Sequence, residues 1–180
     1  LLGGTFDPIH LGHLLIAQDA YENFGLDRVF FIPASQAPLK DAAPGSSPDH
    51  RFGMVKAATR SFPHFHVLDI ELAGGGVSYT CQTVRELRQK YPEDAFYLII
   101  GADQAEQLPR WKAIDQLARE AEFIAVQRPG FDLEKARQSA VPGLRVNRVA
   151  GHLLDFSSTE IRHRVHAGRP VDLFVHPQVN

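Results

Sequence analysis

Unbroken apolar runs, separated by amphipathic stretches, constrain the fold of this 180-residue chain more than any other feature. Residues 29–32, 96–100 and 123–126 are wholly apolar, which is typical of parallel strands buried on both faces. The stretches around them predict helices at about 12–24, 48–61, 80–91, 112–121, 132–140 and 157–167. Strands that alternate with helices predict an α/β fold with a doubly wound, mostly parallel sheet and helices on both faces.

Three further segments carry local signals. Residues 67–72 alternate apolar and acidic side chains, which predicts a strand with one face toward solvent. Residues 33–48 are rich in proline and small residues, and residues 74–76 are all glycine, so both predict surface loops. Loops of this kind often bind or close over ligands, but a plain solvent-exposed connection fits residues 33–48 equally well.

Length, charge and cysteine usage exclude several classes of protein. The length fits one domain, 1–180, with a helical C-terminal part from about residue 157. The single cysteine, Cys81, excludes an intrachain disulfide, and the net charge of -2 argues against a nucleic-acid-binding surface. No apolar run approaches the roughly 18 residues of a membrane span, and no signal peptide is visible. We therefore predict a cytoplasmic protein without nucleic-acid or membrane partners; homo-oligomerisation stays open.

The opening segment, residues 3–13 (GGTFDPIHLGH), connects the first predicted strand to the first predicted helix. Glycines let a phosphate approach the backbone, and the N–H groups of a helix start favour an anion. His10 and His13 are three residues apart, so at a helix start they project from the same side. The segment therefore predicts a phosphate site that includes the two histidines and Gly3, Gly4, Thr5 and Phe6.

Other interpretations of the two histidines compete with this one. They could be ordinary hydrogen-bonded residues, or, with Asp7, ligands of a metal in a hydrolase. No Cys pair or HExxH sequence accompanies them, and the chain contains neither GxxxxGK[ST] nor GxGxxG. The phosphate site is the interpretation that explains the whole segment.

A second hydroxyl-rich helix start lies near the C-terminus. Ser157 and Glu160 fit a capping box, which would explain these two residues alone. Ser158, Thr159 and Arg162 add hydroxyls and a guanidinium, which together with free N–H groups predict another polyphosphate cradle. Two such helix starts in one small domain predict a triphosphate held between them.

Residues that suit a nucleoside and a flat ring lie elsewhere in the chain. Gly101 and Asp103 follow an apolar run, at the strand end where open parallel sheets bind ligands. Asp103 suits ribose hydroxyls, although a helix N-cap is an equally ordinary role. Trp111 and Tyr79, with Thr80 beside it, are candidates for stacking on a heterocycle, the alternative for Trp111 being a half-buried surface anchor.

Together these motifs resemble a known family. The opening segment resembles the HxGH signature of the nucleotidylyltransferase superfamily, and residues 156–162 resemble its ISSTxIR motif. With residues 78–80, 101–103, 128–130 and Trp111, the chain is similar to the bacterial nicotinate mononucleotide adenylyltransferases. The resemblance implies a Rossmann-like fold and adenylyl transfer from ATP to nicotinate mononucleotide in NAD biosynthesis, with pyrophosphate as the second product.

The resemblance also implies roles for individual residues. Catalytic contacts to phosphate fall to His10, His13 and Arg162. The rest of the ATP site is implied to comprise Gly3, Gly4, Thr5, Phe6, Gly101, Asp103, Ser157, Ser158 and Thr159. The nicotinate mononucleotide site is implied to comprise Lys40, Tyr79, Thr80, Trp111 and Arg128. Mg²⁺ is implied as a cofactor carried by the ATP phosphates, without a metal site on the protein.

Two alternatives stay open at this point. The same motifs would serve a sibling nucleotidylyltransferase with another acceptor, such as nicotinamide mononucleotide or phosphopantetheine. They would also serve a nucleotide sensor without turnover, although a sensor needs no complete set of transition-state donors.

Overall fold

A computed structural model of the chain describes residues 1–38, 44–126, 141, 143–149, 152 and 156–179. The strands in this part are β1 Leu2–Gly4, β2 Val29–Pro33, β3 Phe65–Val67, β4 Tyr97–Gly101, β5 Glu122–Val126 and β6 Val146–Val149. The helices are α1 Leu11–Phe24, α2 Pro48–Thr59, α3 Ile70–Gly74, α4 Thr80–Lys90, α5 Ala102–Ala105, α6 Ile114–Glu120 and α7 Ser158–His166, with a 3₁₀ turn at Leu108–Arg110. None of the helices in these ranges is both long and apolar enough to cross a membrane.

The strands form two three-stranded parallel sheets, β1–β2–β3 and β4–β5–β6, which meet at β1. Leu1, next to β1, accepts a hydrogen bond from the Ile99 N–H at 2.8 Å, and its amino group donates to the Tyr97 carbonyl. The spatial order is therefore β3–β2–β1–β4–β5–β6, with its direction of winding reversed between β1 and β4. In open parallel sheets the crevice at the carboxyl ends of two such strands binds ligands.

Alternate residues of the strands face two separate hydrophobic clusters. On one face, Phe31 and Ile124 pack with residues of α1 and α2. On the other face, Ile32 and Phe123 pack with residues of α4 and α6. A sheet covered by helices on both faces confirms the predicted doubly wound architecture, and buried strand faces explain the wholly apolar runs.

The predicted strand at 67–72 is wrong. Pairing with β2 ends early, and the last contact is the Leu68 N–H donating to the Phe31 carbonyl at 3.0 Å. The Asp69 carbonyl then accepts from the Ala73 N–H at 2.9 Å, which closes the first turn of α3. Alternation over six residues indicated a strand, but the next N–H that the parallel ladder needs from β2 is that of Pro33, which has none.

Strand β6 and helix α5 are elements that the sequence pattern did not indicate. β6 pairs with β5 at the edge of the sheet, and Val149 is its buried residue. Polar Asn147 and Arg148 in its middle concealed it, since no apolar run marks it. The predicted helix at 132–140 lies outside the described residues.

Candidate active site

The two histidines of the opening segment lie in contact at the start of α1. His10 is the N-cap residue and is buried, and its N–H donates to Nδ1 of His13 at 3.2 Å. The rings stack with centroids 3.7 Å apart. Because Nδ1 accepts from a backbone N–H, the neutral His13 ring carries its proton on Nε2. His13 therefore presents a donor suited to a phosphate oxygen.

Close packing explains two of the glycines in this segment. A Cβ at Gly12 would lie 3.0 Å from Nδ1 of His10, and a Cβ at Gly4 would lie 3.0 Å from the ring of Phe6. Phe6 is buried and its ring meets the edge of His13, with centroids 5.0 Å apart. The glycines thus let the Phe6 and histidine rings approach the backbone.

The C-terminal motif docks directly on the opening segment. Nη1 of Arg162 donates to the Asp7 carbonyl at 2.7 Å, and the Ser158 hydroxyl donates to the Pro8 carbonyl at 2.9 Å. Ser157 caps α7 by accepting from the Glu160 N–H at 3.1 Å. Residues about 150 positions apart in the chain therefore bring the starts of α1 and α7 together. Two helix N-termini beside an arginine form a surface suited to several phosphates.

Hydrogen bonds within this docked motif constrain what its hydroxyls can do. The proton of Ser158 is directed to the carbonyl of Pro8, and Nη2 of Arg162 lies 3.3 Å from the Thr159 hydroxyl oxygen. Contacts from these hydroxyls and from Ser157 to ATP stay predictions. Arg162 is exposed and has further N–H groups beyond the two used here, so it can hold a phosphate while tethered.

Gly101 and Asp103 lie at the crevice between β1 and β4. Gly101 ends β4 and is the N-cap of α5, and its N–H donates to Oε1 of Gln104 at 3.2 Å. Asp103 lies in the first turn of α5, so the N-cap alternative for this residue is wrong. Gly101 ends the strand that lies beside β1, and Gly3 in β1 is exposed.

The predicted ring-binding residues gather on the opposite face of the sheet from α1. Tyr79 is the N-cap of α4 and Thr80 its first residue, at a helix end where N–H groups have no intrahelical partner. Nζ of Lys112 lies 4.0 Å from the centre of the Tyr79 ring. Trp111, half-buried, packs edge to face with Phe123, with ring centroids 6.3 Å apart. Tyr79 and Trp111 are thus linked through Lys112 and do not stack on each other.

A buried arginine beneath the site escaped the sequence analysis. Arg51 is fully buried in α2, and its guanidinium donates to the carbonyls of Thr5, Ala34 and Ser35 at 2.8, 2.6 and 3.3 Å. Burial lowers the pKa of Arg51, and the charge of Asp7 opposes that effect. A signal was present, since Arg51 lies four residues before Val55 on the buried face of α2.

Asp7 is the buried carboxylate that faces this arginine. Its side chain is 2% exposed, and Oδ2 accepts from the Gly45 N–H at 2.8 Å. Burial raises the pKa of Asp7, but hydrogen bonds from Ser46 and Gly45 and the charge of Arg162 outweigh burial and lower it overall. Asp7 is therefore an ionised group that holds the segment leading into α2.

In the described ranges, no group of three or more His, Cys, Asp or Glu side chains could hold a metal ion. Asp7, the third ligand of the hydrolase interpretation, is engaged by Gly45 and Ser46. Lys40 and Arg128, predicted for the acceptor site, lie outside the described residues.

Comparison with known proteins adds a family and a fold. Residues 1–164 match the cytidylyltransferase-like family. A probable nicotinate-nucleotide adenylyltransferase of Opitutus terrae is 49% identical over 97% of this chain and 88% of its own length. Another, from Shouchella clausii, is 46% identical over 99% of this chain and 90% of its own length.

Solved structures resemble the chain at much lower identity. Plasmodium falciparum nicotinic acid mononucleotide adenylyltransferase complexed with NaAD has a TM-score of 0.78 and 18% identity, covering 99% of this chain and 90% of that one. The same protein complexed with APC has a TM-score of 0.76 at the same identity and coverage. At this identity the likeness shows a shared fold.

Proposed function

The chain belongs to the cytidylyltransferase-like family and, within it, to the nicotinate-nucleotide adenylyltransferases, and we propose that it transfers the adenylyl group of ATP to nicotinate mononucleotide. The products are nicotinate adenine dinucleotide and pyrophosphate. The observation that carries the proposal is the docking of Arg162 and Ser158 on the carbonyls of Asp7 and Pro8, which unites both phosphate motifs at one place.

The triphosphate lies, in this proposal, between the starts of α1 and α7. Nε2 of His13 donates to the α-phosphate, and Arg162 and the helix N–H groups neutralise the charge that develops as pyrophosphate leaves. His10 contributes by holding His13 through its backbone N–H. Gly3, Gly4, Thr5, Phe6, Ser157, Ser158 and Thr159 complete the phosphate surface, and Gly101 and Asp103 meet the ribose of the adenosine half.

The acceptor lies across the crevice, at the start of α4. Backbone N–H groups at Tyr79 and Thr80 receive the ring carboxylate, since a helix N-terminus favours an anion. Trp111 covers the pyridine, and Lys40 and Arg128 contact the acceptor phosphate. A neutral amide on the ring would leave the helix-terminal donors without their anionic partner, which favours the acid over the amide.

The reaction needs positioning more than proton transfer. An oxygen of the acceptor's 5′-phosphate attacks the α-phosphorus of ATP, and the bond from that phosphorus to the bridging oxygen of pyrophosphate breaks. The attacking phosphate is a dianion near neutral pH, because its second pKa is about 6, so no general base is required. What remains is to offset the repulsion between anions and hold the attack in line.

Mg²⁺ is proposed to enter with ATP. Proteins bind this ion through carboxylates and substrate phosphates, whereas the phosphate surface proposed here consists of His13, Arg162, hydroxyls and backbone N–H groups. The ATP phosphates and water would therefore hold it, and it would supply charge neutralisation. A cytoplasmic location, the absence of nucleic-acid partners and the oligomeric state stay predictions.

Pyrophosphate release tests the proposal directly. We expect rapid release from ATP and Mg²⁺ when nicotinate mononucleotide is added, and much slower release with nicotinamide mononucleotide in a parallel reaction. Equal rates with both would contradict the acid preference. Release with neither, but with phosphopantetheine, would assign the chain to a sibling reaction.

A further inference from the structure

Arg51 connects the carboxyl ends of the neighbouring strands β1 and β2, next to the crevice between β1 and β4. Its Nη1 donates to the carbonyl of Thr5, just after β1, and to that of Ala34, just after β2. Its Nη2 reaches the next carbonyl, that of Ser35. Thr5 belongs to the opening segment on the phosphate side of the site, so one side chain fixes how far this segment lies from the chain that leaves β2.

The chain leaving β2 is in turn attached to the acceptor side. The Ser35 N–H donates to the Ser78 hydroxyl oxygen at 3.0 Å, and the Ser78 N–H donates to the Gln36 carbonyl at 2.9 Å. Ser78 directly precedes Tyr79 and Thr80, the proposed receptors of the ring carboxylate. The contacts from Thr5 through Arg51 and Ser35 to Ser78 therefore run without interruption from the phosphate side to the acceptor side.

Glu71 secures the acceptor end of these contacts. Its carboxylate accepts from the Thr83 hydroxyl at 2.7 Å and from the hydroxyl of Ser78. Glu71 lies in α3 and Thr83 in α4, so Ser78 bonds to α3 through a carboxylate that α4 holds in turn, and to the chain after β2. A residue held from both of these directions can transmit the position of Ser35 to Tyr79.

The chemistry of arginine explains why this residue stands at the junction. A planar guanidinium donates in several directions at once, whereas the ammonium of lysine is a compact point charge. Burying a full charge is costly, and the nearby Asp7 carboxylate offsets part of that cost. A charge retained at this cost, whose guanidinium donates to three backbone carbonyls just beyond strand ends, indicates a role in holding the backbone.

We propose that Arg51 is a positioning residue for adenylyl transfer, setting the distance between the bound α-phosphate and the attacking acceptor phosphate. The inference rests on the proposed function. Arg51 is fully buried, so we expect it to contact neither substrate and each substrate to bind alone almost normally when it is replaced. The rate should fall, because a displacement of about 1 Å between reacting groups can cost about 10²-fold.

Three variants test the proposal: Arg51→Lys, Ser78→Ala and the control Arg88→Lys. Arg88 also donates from its guanidinium to a backbone carbonyl, that of Glu120, at 3.1 and 2.6 Å. Glu120 ends α6, two residues before β5 begins, at the end of the sheet away from the crevice. Arg88→Lys therefore removes a similar contact where no substrate is expected. Steady-state pyrophosphate release gives kcat and KM, and fluorescence of the single tryptophan, Trp111, gives the affinity for each substrate alone.

We expect Arg51→Lys to lower kcat by about 10²-fold and Ser78→Ala by about 10-fold, with each substrate's affinity changed less than about threefold. The double variant should lose less than the product of the two single losses, since both act on one set of contacts. Arg88→Lys should keep kcat. If Arg51→Lys does not fold, the kcat of Ser78→Ala decides.

Two results would overturn the proposal. One is kcat within about twofold of the unaltered protein in Arg51→Lys, or in Ser78→Ala where that variant decides. The other is a loss confined to substrate affinity. Failure of the proposed function is separate, because the unaltered protein would then release no pyrophosphate with nicotinate mononucleotide.

Discussion

His13 shows how a backbone contact selects the chemistry of a side chain. Its Nδ1 accepts from the His10 N–H, so the neutral ring carries its proton on Nε2, the atom proposed to donate to the α-phosphate. We expect His13→Ala to lower kcat by about 10²-fold or more, the scale for losing one transition-state donor. Pyrophosphate release measures it. The matched control is His64→Ala, which removes a ring that stacks on Tyr21 away from the crevice and should keep kcat. An unchanged kcat in His13→Ala would remove His13 from the mechanism.

Substitutions of Trp111 distinguish a packing role for its ring from contact with the substrate. Replacing it with Ala removes the ring that lies against Phe123, and we expect KM for nicotinate mononucleotide to rise more than KM for ATP. Trp111→Phe should recover most of the acceptor affinity, because it restores an aromatic face. If the two KM values rise equally in Trp111→Ala, the ring is an anchor in the core and does not cover the pyridine.

Site residues that stand in short sequence motifs could be predicted from the sequence. A residue whose hydrogen-bond partners come from distant segments could not. His10, His13 and Arg162 stand in motifs a few residues long, and the structure brings these motifs together. Arg51 has no such motif. Its importance depends on carbonyls contributed by two other segments, and that convergence exists only after the sheet has formed.

The first turn of helix α7 is held against the loop before α1 by hydrogen bonds. Ser158→Ala removes the hydrogen bond to the Pro8 carbonyl, so we expect the start of α7 to shift and KM for ATP to rise several-fold. Ser47→Ala is the matched control at another helix start, where the hydroxyl accepts from the His50 N–H. It should cost about 1 kcal/mol in the free energy of unfolding without changing KM for ATP. An equal KM in Ser158→Ala and the unaltered protein would contradict the docking role.

Strands that are buried on both faces could be predicted accurately from the sequence, and the strand at the sheet edge could not. Strands β2, β4 and β5 pack on both faces, so their apolar runs identified them to within one residue at each end. β6 at the sheet edge carries polar residues and was missed, and the segment after β3 turned into α3 where pairing with β2 stopped. The position of a strand at the edge and the point at which its pairing ends depend on the assembled sheet, and local alternation of side chains does not encode them.

The order of the strands explains why the molecule can hold two substrates at once. Winding reverses between β1 and β4, so α1 and α4 leave the sheet on opposite faces, each with its N-terminus near the carboxyl edge. One helix start can then receive a phosphate of ATP and the other the carboxylate of the acceptor. Asp7 and Arg51 are both buried, and their hydrogen-bond partners come from segments that are distant in the chain. Their charges are therefore stabilised only when the whole domain has folded.

Buried Asp7 links stability to pH. Hydrogen bonds from Ser46 and Gly45 and the charge of Arg162 lower its pKa below the ordinary 3.8, despite burial, which raises it. A lowered pKa in the folded state means that the carboxylate stabilises the fold above pH 3.8 and that this contribution is lost as pH falls through the folded value.

We therefore expect Asp7→Asn to lower the free energy of unfolding by about 1–3 kcal/mol at pH 7, because a buried charge-assisted acceptor is lost. The difference in free energy of unfolding between Asp7→Asn and the unaltered protein should narrow as pH falls from 3.8 through the lower folded pKa, since the unfolded carboxyl takes up its proton first and the folded one last. Denaturant unfolding at a series of pH values measures it. The control, Asp27→Asn, alters an exposed carboxylate and should stay within about 0.5 kcal/mol of the unaltered protein. A gap that stays constant through the acid range would show that Asp7 acts by shape alone and that its charge is not what holds the chain before α2.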